Sequence, residues 1–553
     1  LMALMLFPAR ETRAAEGDVA QITRDETTTS YATLQAAITA SVSGDTIELL
    51  SDATLPTTSF PSGKAITIDG KGFTIDAGQA YLNVAGNVTF KNCMMNMHGV
   101  PNGHWMYIYM ASNGSLNFED STLNIDGTNA ADNTTAMYFP EPGDPKAGVS
   151  FTRSNVTIKN CRGNGISWGG RPNNGYNTLT ITDCPVFTID NCAEMNTAGG
   201  GGIIGTFDIV ITRSTVKVTN NRSYGSNGSN YEIKDSTVTY SNNGTHGLSA
   251  TDLEIYNSTV TAENNGYYGI YASGAFVIDR TSKVTVTGNS YAEDCAGLKL
   301  TSGVTNGRVE AGAVVKITDN YCSGLSNNGK VTFEEGAKLT IMNNVNDKGT
   351  TSNGGGVYNS GDSANLTLPS DAVIYNNHAD TAGDDIFNNT TSTITFGKVG
   401  AGWSLDGNLG DCEHTIDGWY DDSVQTTTTD ENGNPVIVGG RWEAHANADA
   451  GETNHIVEFT DFNSETGLAT VTGLTQLKAA HGVIVEPTPD PDPEEPDPEE
   501  PKPDDPDPTP PSTPSLTITK KWVADNPEDR PDSVTFNVYK DGIYDGFLEI
   551  EGK

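Results

Sequence analysis

Val210–Tyr231 reads VITRSTVKVTNNRSYGSNGSNY, Glu232–Leu253 reads EIKDSTVTYSNNGTHGLSATDL, and Glu254–Ala275 reads EIYNSTVTAENNGYYGIYASGA; the three segments align without a gap at 22 residues each. They share Ser-Thr-Val at the fifth to seventh places, Asn-Asn at the eleventh and twelfth, and Gly at the sixteenth. A fixed period in the twenties marks a solenoid, whose units cannot bury an apolar face alone and must stack on their neighbours. Within a unit, β-branched residues such as Val216, Val218, Ile233 and Val260 alternate with polar ones, the period of a half-buried strand. No helical run sits in the unit, so helical repeats are excluded. Short strands joined by Asn and Gly turns, one turn of chain per unit, leave an all-β parallel β-helix.

The repeated Asn pairs fit that winding. Asn220, Asn242 and Asn264 are expected to fall above one another, about 4.8 Å apart, as are Asn221, Asn243 and Asn265, so that amides bond up the stack. Asn also accepts the left-handed backbone of a sharp corner. This structural role is preferred to a catalytic one, and no catalytic residue is assigned. Looser copies extend the repeat: STLNI (121–125), NVTIKN (155–160) and FTIDN (187–191) before it, and SKVTVTGN (282–289), VVKITDN (314–320), KLTIMNN (338–344) and DAVIYNN (371–377) after it. Residues 45–408 are therefore read as β-helix, roughly 12 to 16 coils at 22 to 30 residues each.

Outward from the coils, residues 16–44 form a lead and a capping helix, with helical spacing of Leu34 and Ile38 ahead of SGDTIELL (43–50). Residues 1–15, apolar LMALMLF and then a small-residue stretch, are read as the remnant of a secretion signal. Residues 409–485 depart from the repeat and are read as a C-terminal cap or small β module, in which 469–483 mixes a strand with a short helical stretch. Residues 487–514 hold thirteen prolines. They fall within an acidic stalk, 486–515, that polyproline geometry extends to roughly 80 to 90 Å. A last module begins at 516.

The net charge of −39 repels phosphate backbones, which argues against nucleic acid as a partner. Residues 486–515 account for −10 of it, so the folded parts are acidic too. No run reaches the roughly 18 to 20 apolar residues of a membrane span. Seven scattered Cys include no C-x-x-C pair, which disfavours zinc. Cys295 and Cys322 occupy matching places in successive coils, where free core thiols are preferred to a disulfide. Cys412, His414 and His445 match no zinc spacing. The metal content is left unassigned, calcium being the one cofactor that the acid-rich composition admits.

Several stretches resemble known families. Residues 31–50 resemble the entrance of right-handed β-helix proteins, and GGGVYNSG (354–361) with ADTAGDDIFNN (379–389) resemble the pectate-lyase-like adhesive regions of Gram-positive surface proteins. SLTITKKWVADNPEDRPDSVTFNVYKDG (515–542) resembles the start of a Cna B-type immunoglobulin-like sandwich, so 516–553 is read as a truncated domain of that type. The resemblance implies a lysine that forms an intramolecular isopeptide bond. Leu516, Ile518, Lys520 and Trp522 share strand parity, which makes Lys520 the candidate. It also implies a monomer displayed outside the cell or on its wall.

The pectate-lyase-like solenoid hosts polysaccharide lyases and hydrolases as well as adhesins. Hydrolysis of the polygalacturonase type needs paired carboxylates with a His-Gly and an Arg-x-Lys. Asp384-Asp385 supplies a pair, but Arg-x-Lys is absent, and the pair is read as a solvated turn. Lyases need clustered acids for calcium and a basic residue. Arg213, Arg222, Arg280 and Arg308 are not expected on one column with acids. Tyr267, Tyr268 and Tyr271, with Trp168 near Arg171, are candidates for a ligand-stacking face, Tyr271 being equally a candidate for the core. The expectation is an adhesin for extracellular glycans or host matrix proteins. An enzyme cleaving an extracellular polysaccharide and a structural spacer are the alternatives.

Overall fold

The computed structural model describes residues 17–480 except 102, 131–132, 140–145, 169–175, 194–199, 291–294, 348–351, 400–402, 405–414, 417, 424–425, 430–434 and 439–462, and then 533–540 and 543–551. The segments read as a signal remnant and a stalk, and Arg171, Cys412, His414, His445 and Lys520, all lie outside the described residues. The chain divides into a unit of residues 1–485 and a unit of residues 486–553.

The first unit is a parallel β-solenoid in which each coil contributes strands to three faces. Sheet one has thirteen strands, from Ala53–Thr54 to Val373–Tyr375. That sets thirteen coils among the described residues, inside the range read from the period. Sheet two runs through Thr58–Phe60, Leu82–Val84 and Met106–Met110 to Ile386–Asn388. Sheet three runs through Thr46–Leu49, Ala65–Asp69 and Asn87–Lys91 to Thr393–Gly397. Sheets two and three merge where single strands pass through the corner between them, as Tyr224–Lys234 and Leu248–Tyr256 do.

Register is unbroken along the core. Val216 pairs with Val238, Val260, Val284 and Val315 in turn, and Ile211 with Ile233, Ile255 and Ile278. All of these side chains are buried. Each stabilises the fold by about 1.5–3 kcal/mol relative to exposure. Where the core is wider, Phe90, Phe118 and Phe151 stack at 5.4 Å steps. One coil alone could bury none of this, which is why the repeat must stack.

Both ends of the parallel stack are closed, as an open row of strand groups would otherwise pair with another chain. At the start, a hairpin of Ala20–Arg24 and Thr27–Tyr31 lies antiparallel on Thr46–Leu49. The helix Leu34–Ala40 follows, its Thr33 hydroxyl accepting from the Ala36 amide at 3.1 Å, and buries Leu34, Ala37 and Ile38. Arg24 clamps the Asp45 carboxylate, which also accepts from the Val42 amide at 2.7 Å.

At the far end, Leu468–Thr472 runs antiparallel on Thr393–Gly397, and Thr475–Ala480 on Ile386–Asn388. Gly418–Asp421 adds to the outside of the latter, and Trp419 Nε1 donates to the Gly397 carbonyl at 3.0 Å. The short helical stretch expected within 469–483 is instead two strands over 468–480. The unpaired edges of the last coil supply partners that extended backbone satisfies and a helix cannot. In the second unit, Ser533–Lys540 and Ile543–Glu551 form an antiparallel hairpin.

Candidate functional site

The adjacent Asn residues of each repeat do different work. Asn220, Asn242 and Asn264 have φ of 54°, 54° and 55° and turn the corner in the left-handed region, with side chains exposed. Asn220 Nδ2 donates to Asp190 Oδ1 at 2.7 Å, and no amide-to-amide bond links these three. Asn221, Asn243 and Asn265 are buried. Asn221 Nδ2 donates to Asn243 Oδ1 and Asn243 Nδ2 to Asn265 Oδ1, each at 2.9 Å. The same oxygens accept the backbone amides of the preceding Asn at 3.1 Å.

This column continues through Asn289, Asn320, Asn344 and Asn377 at 2.8–3.0 Å per link. Those four are the last residues of the looser copies 282–289, 314–320, 338–344 and 371–377, the signal by which the sequence could have extended it. In the other direction the Cys192 amide donates to Asn221 Oδ1 at 3.0 Å. The repeated Gly belongs to the same column: a Cβ on Gly225, Gly247 or Gly269 would stand 2.6–2.8 Å from the Nδ2 of Asn243, Asn265 or Asn289. The repeated Ser forms a second column, the Ser214 amide donating to Ser236 Oγ and the Ser236 amide to Ser258 Oγ, at 3.1 and 3.0 Å.

The solvent side of sheet two carries the chemistry that could meet a ligand. Tyr267 and Tyr268, both part-exposed, lie 4.3 Å apart by ring centroid, and Tyr268 is 5.5 Å from Tyr271. His246, one coil below, packs at 4.7 Å from Tyr224 and 4.9 Å from Tyr268. Burial pushes its imidazole down to about 4, so this ring is neutral near pH 7. Tyr271 and Lys299 are register partners on one outward row. Lys299 Nζ donates to Ser326 Oγ at 2.8 Å and to Asn328 Oδ1, and burial pushes its amine down to about 8.

A second aromatic group lies on the same face, five coils earlier. Tyr81 stacks on His104 at 3.6 Å, Trp105 meets Tyr138 at 4.5 Å, and Tyr109 lies 6.2 Å from Tyr138. Trp105 is 48% exposed, a large apolar surface in contact with water. Sequence reading missed this group, although HWMYIY (104–109) concentrates aromatics in one short stretch. Trp168 does not join either group. It shares strand parity with Ile166, on the opposite side from Ser167, and is buried.

Three further expectations change. Asp384 and Asp385 are not a solvated turn, because both are fully buried beneath the cap strands. Asp385 terminates the Asn column, its Oδ1 accepting from Asn377 Nδ2 at 2.8 Å and its Oδ2 from the Ala479 amide at 2.7 Å. Burial pushes its carboxyl up to about 7. Cys295 and Cys322 are a disulfide, since successive coils place their Cα atoms 5.7 Å apart, within bridging range. Cys93, Cys161, Cys184 and Cys192 are free and buried. Arg213 does share a column with acids: its Nε donates to Asp183 Oδ1 at 2.6 Å across one coil. It forms a surface ion pair of small energetic weight.

Among the described residues no group of three or more His, Cys, Asp or Glu is placed to hold a metal ion, and no helix is long and apolar enough to cross a membrane. No protein-family model matches the chain, and no curated protein and no solved structure shows significant similarity to it.

Proposed function

We propose that this chain is a surface adhesin of the Gram-positive type, exported and displayed outside the cell or on its wall. In this reading a right-handed, pectate-lyase-like β-helix binds glycans or matrix proteins. The observation that carries the ligand part is the contiguous aromatic cluster of Tyr224, His246, Tyr267, Tyr268 and Tyr271 beside the Lys299 amine. Aromatic faces stack on the apolar faces of sugar rings, and part-exposed Tyr also offers a hydroxyl for polar contact. The acidic proline stretch and the Cna B-like start, with Lys520 as its isopeptide candidate, support display at a distance.

Binding of the full chain to a glycan array and a matrix-protein panel tests this. Tyr268→Ala and Tyr271→Ala are each expected to weaken the selected ligand about tenfold, equivalent to roughly 1.4 kcal/mol. An empty array and an empty panel would leave the spacer reading in its place.

Lys299 favours one alternative, a polysaccharide lyase. An amine held near 8 by burial can take the proton α to a uronate carboxylate, the first step of eliminative cleavage. Incubation with uronic acid polymers and calcium separates the two readings. Unsaturated sugars released by the native chain, and not by Lys299→Met, would replace the adhesin with the lyase.

A further inference from the structure

The far end of the solenoid buries an amine against a carboxyl group. Lys478 Nζ, on the cap strand Thr475–Ala480, stands 2.8 Å from Asp384 Oδ2, 94 residues away in the chain. The Asp384 side chain has no exposure, and that of Lys478 keeps 20%. Asp384 Oδ1 accepts the Ala379 amide at 2.8 Å, and the Asp384 amide donates to Asp422 Oδ2 at 2.6 Å, so both its backbone and its carboxyl are held. Asp385 lies alongside, with its Oδ2 on the amide of Ala479, the residue after Lys478. Tyr420, the register partner of Lys478 on the neighbouring strand, and Leu477, next to Lys478 in the chain, are buried.

We propose that Lys478 and Asp384 condense to an intramolecular isopeptide bond, joining the cap strand covalently to the last coil. Asp384 is fully buried with Lys478 Nζ at 2.8 Å and His378 Nδ1 at 3.5 Å from its carboxylate, so the pair holds charge in a desolvated place, and condensation removes one ion pair from it. An amine 2.8 Å from Oδ2 stands about 3.6 Å from the carboxyl carbon at an ordinary hydrogen-bond angle, so a short shift of the lysine brings it to attacking distance.

The step balances without an oxidant. A proton passes from the Lys478 ammonium to Asp384 Oδ2, leaving a neutral amine and a carboxylic acid. The Nζ lone pair attacks Cγ and forms the N–C bond, while the Ala379 amide steadies the developing charge on Oδ1. The Cγ–Oδ2 bond then breaks, and that oxygen departs as water with its own proton and one from Nζ. Asp385, a carboxyl pushed up to about 7, is the group able to hand the second proton across.

Intact mass of the denatured and disulfide-reduced full chain, followed by peptide mapping, tests the bond. The native chain is expected one water lighter than its sequence, with the peptide containing Asp384 linked to the peptide containing Lys478. Lys478→Arg keeps the charge and is expected to restore the full mass, and Asp385→Asn is expected to slow or prevent the loss. A native chain at its full sequence mass would overturn the proposal, and so would a water loss mapped to any other pair of residues, Lys520 included. Should the variants fail to fold, the native map decides alone.

Discussion

Asn243 and Asn242 are chain neighbours with opposite sensitivities. Asn243 Oδ1 accepts from both nitrogens of Asn221, while its Nδ2 donates to Val218 O and Asn265 Oδ1. Asn243→Ala therefore orphans the buried donors of Asn221 and removes the donor to Val218 O and Asn265 Oδ1, and the expected loss, read by chemical denaturation, is on the order of 3 kcal/mol. Asn242 is exposed with φ of 54°, so Asn242→Gly is expected to be near neutral in the same measurement. Gly247→Ala meets Asn265 Nδ2 at 2.6 Å and the Gly269 carbonyl at 2.7 Å without any change of backbone sign, and is expected to cost about 1–3 kcal/mol through overpacking. The repeat displayed these three positions as equally invariant. Which Asn faces inward was not legible, because a corner residue and a column residue one place apart carry the same amide.

At the scale of elements, the Asn column and the C-terminal cap are one hydrogen-bonded system that ends on Asp385. A second, shorter column runs Asn327, Asn359 and Asn388 and ends on the Gly473 carbonyl between the two cap strands. Because the folded Asp385 carboxyl is raised to about 7 from the ordinary 3.9 or so, the folded chain keeps a proton that the unfolded chain gives up. Its contribution to stability thus falls as pH rises from about 4 to about 7, and is level on either side. The difference between the native chain and Asp385→Asn, measured by denaturation across that range, isolates Asp385, and the native chain is expected to show the steeper decline. Sequence reading placed Asp384 and Asp385 in solvent, since Gly383 before them suggests a turn and nothing local reveals that strands some 90 residues later cover it.

For the solenoid unit as a whole, the closed ends govern association. A chain cut after Val485 keeps Leu468–Thr472 and Thr475–Ala480 over the last coil and is expected to remain monomeric in light scattering. A chain cut before Asn463 exposes Ile386–Asn388 and Thr393–Gly397 as unpaired edges and is expected to aggregate, as open strand edges do.

The winding, its approximate number of coils and the roles of the apolar residues are written in the chain. A period of 22 with two-residue alternation admits one way of burying Val216, Val238 and Val260 together. The helical cap at Leu34 was legible for the same reason, being local. What depends on distant residues meeting came from the fold alone: the Cys295–Cys322 disulfide, the inward side of Trp168, the aromatic group from Tyr81 to Tyr138, and the burial of Asp384 against Lys478. In a solenoid, contacts along a strand repeat with the period and can be read from it. Contacts at the ends occur once, between segments that no period relates.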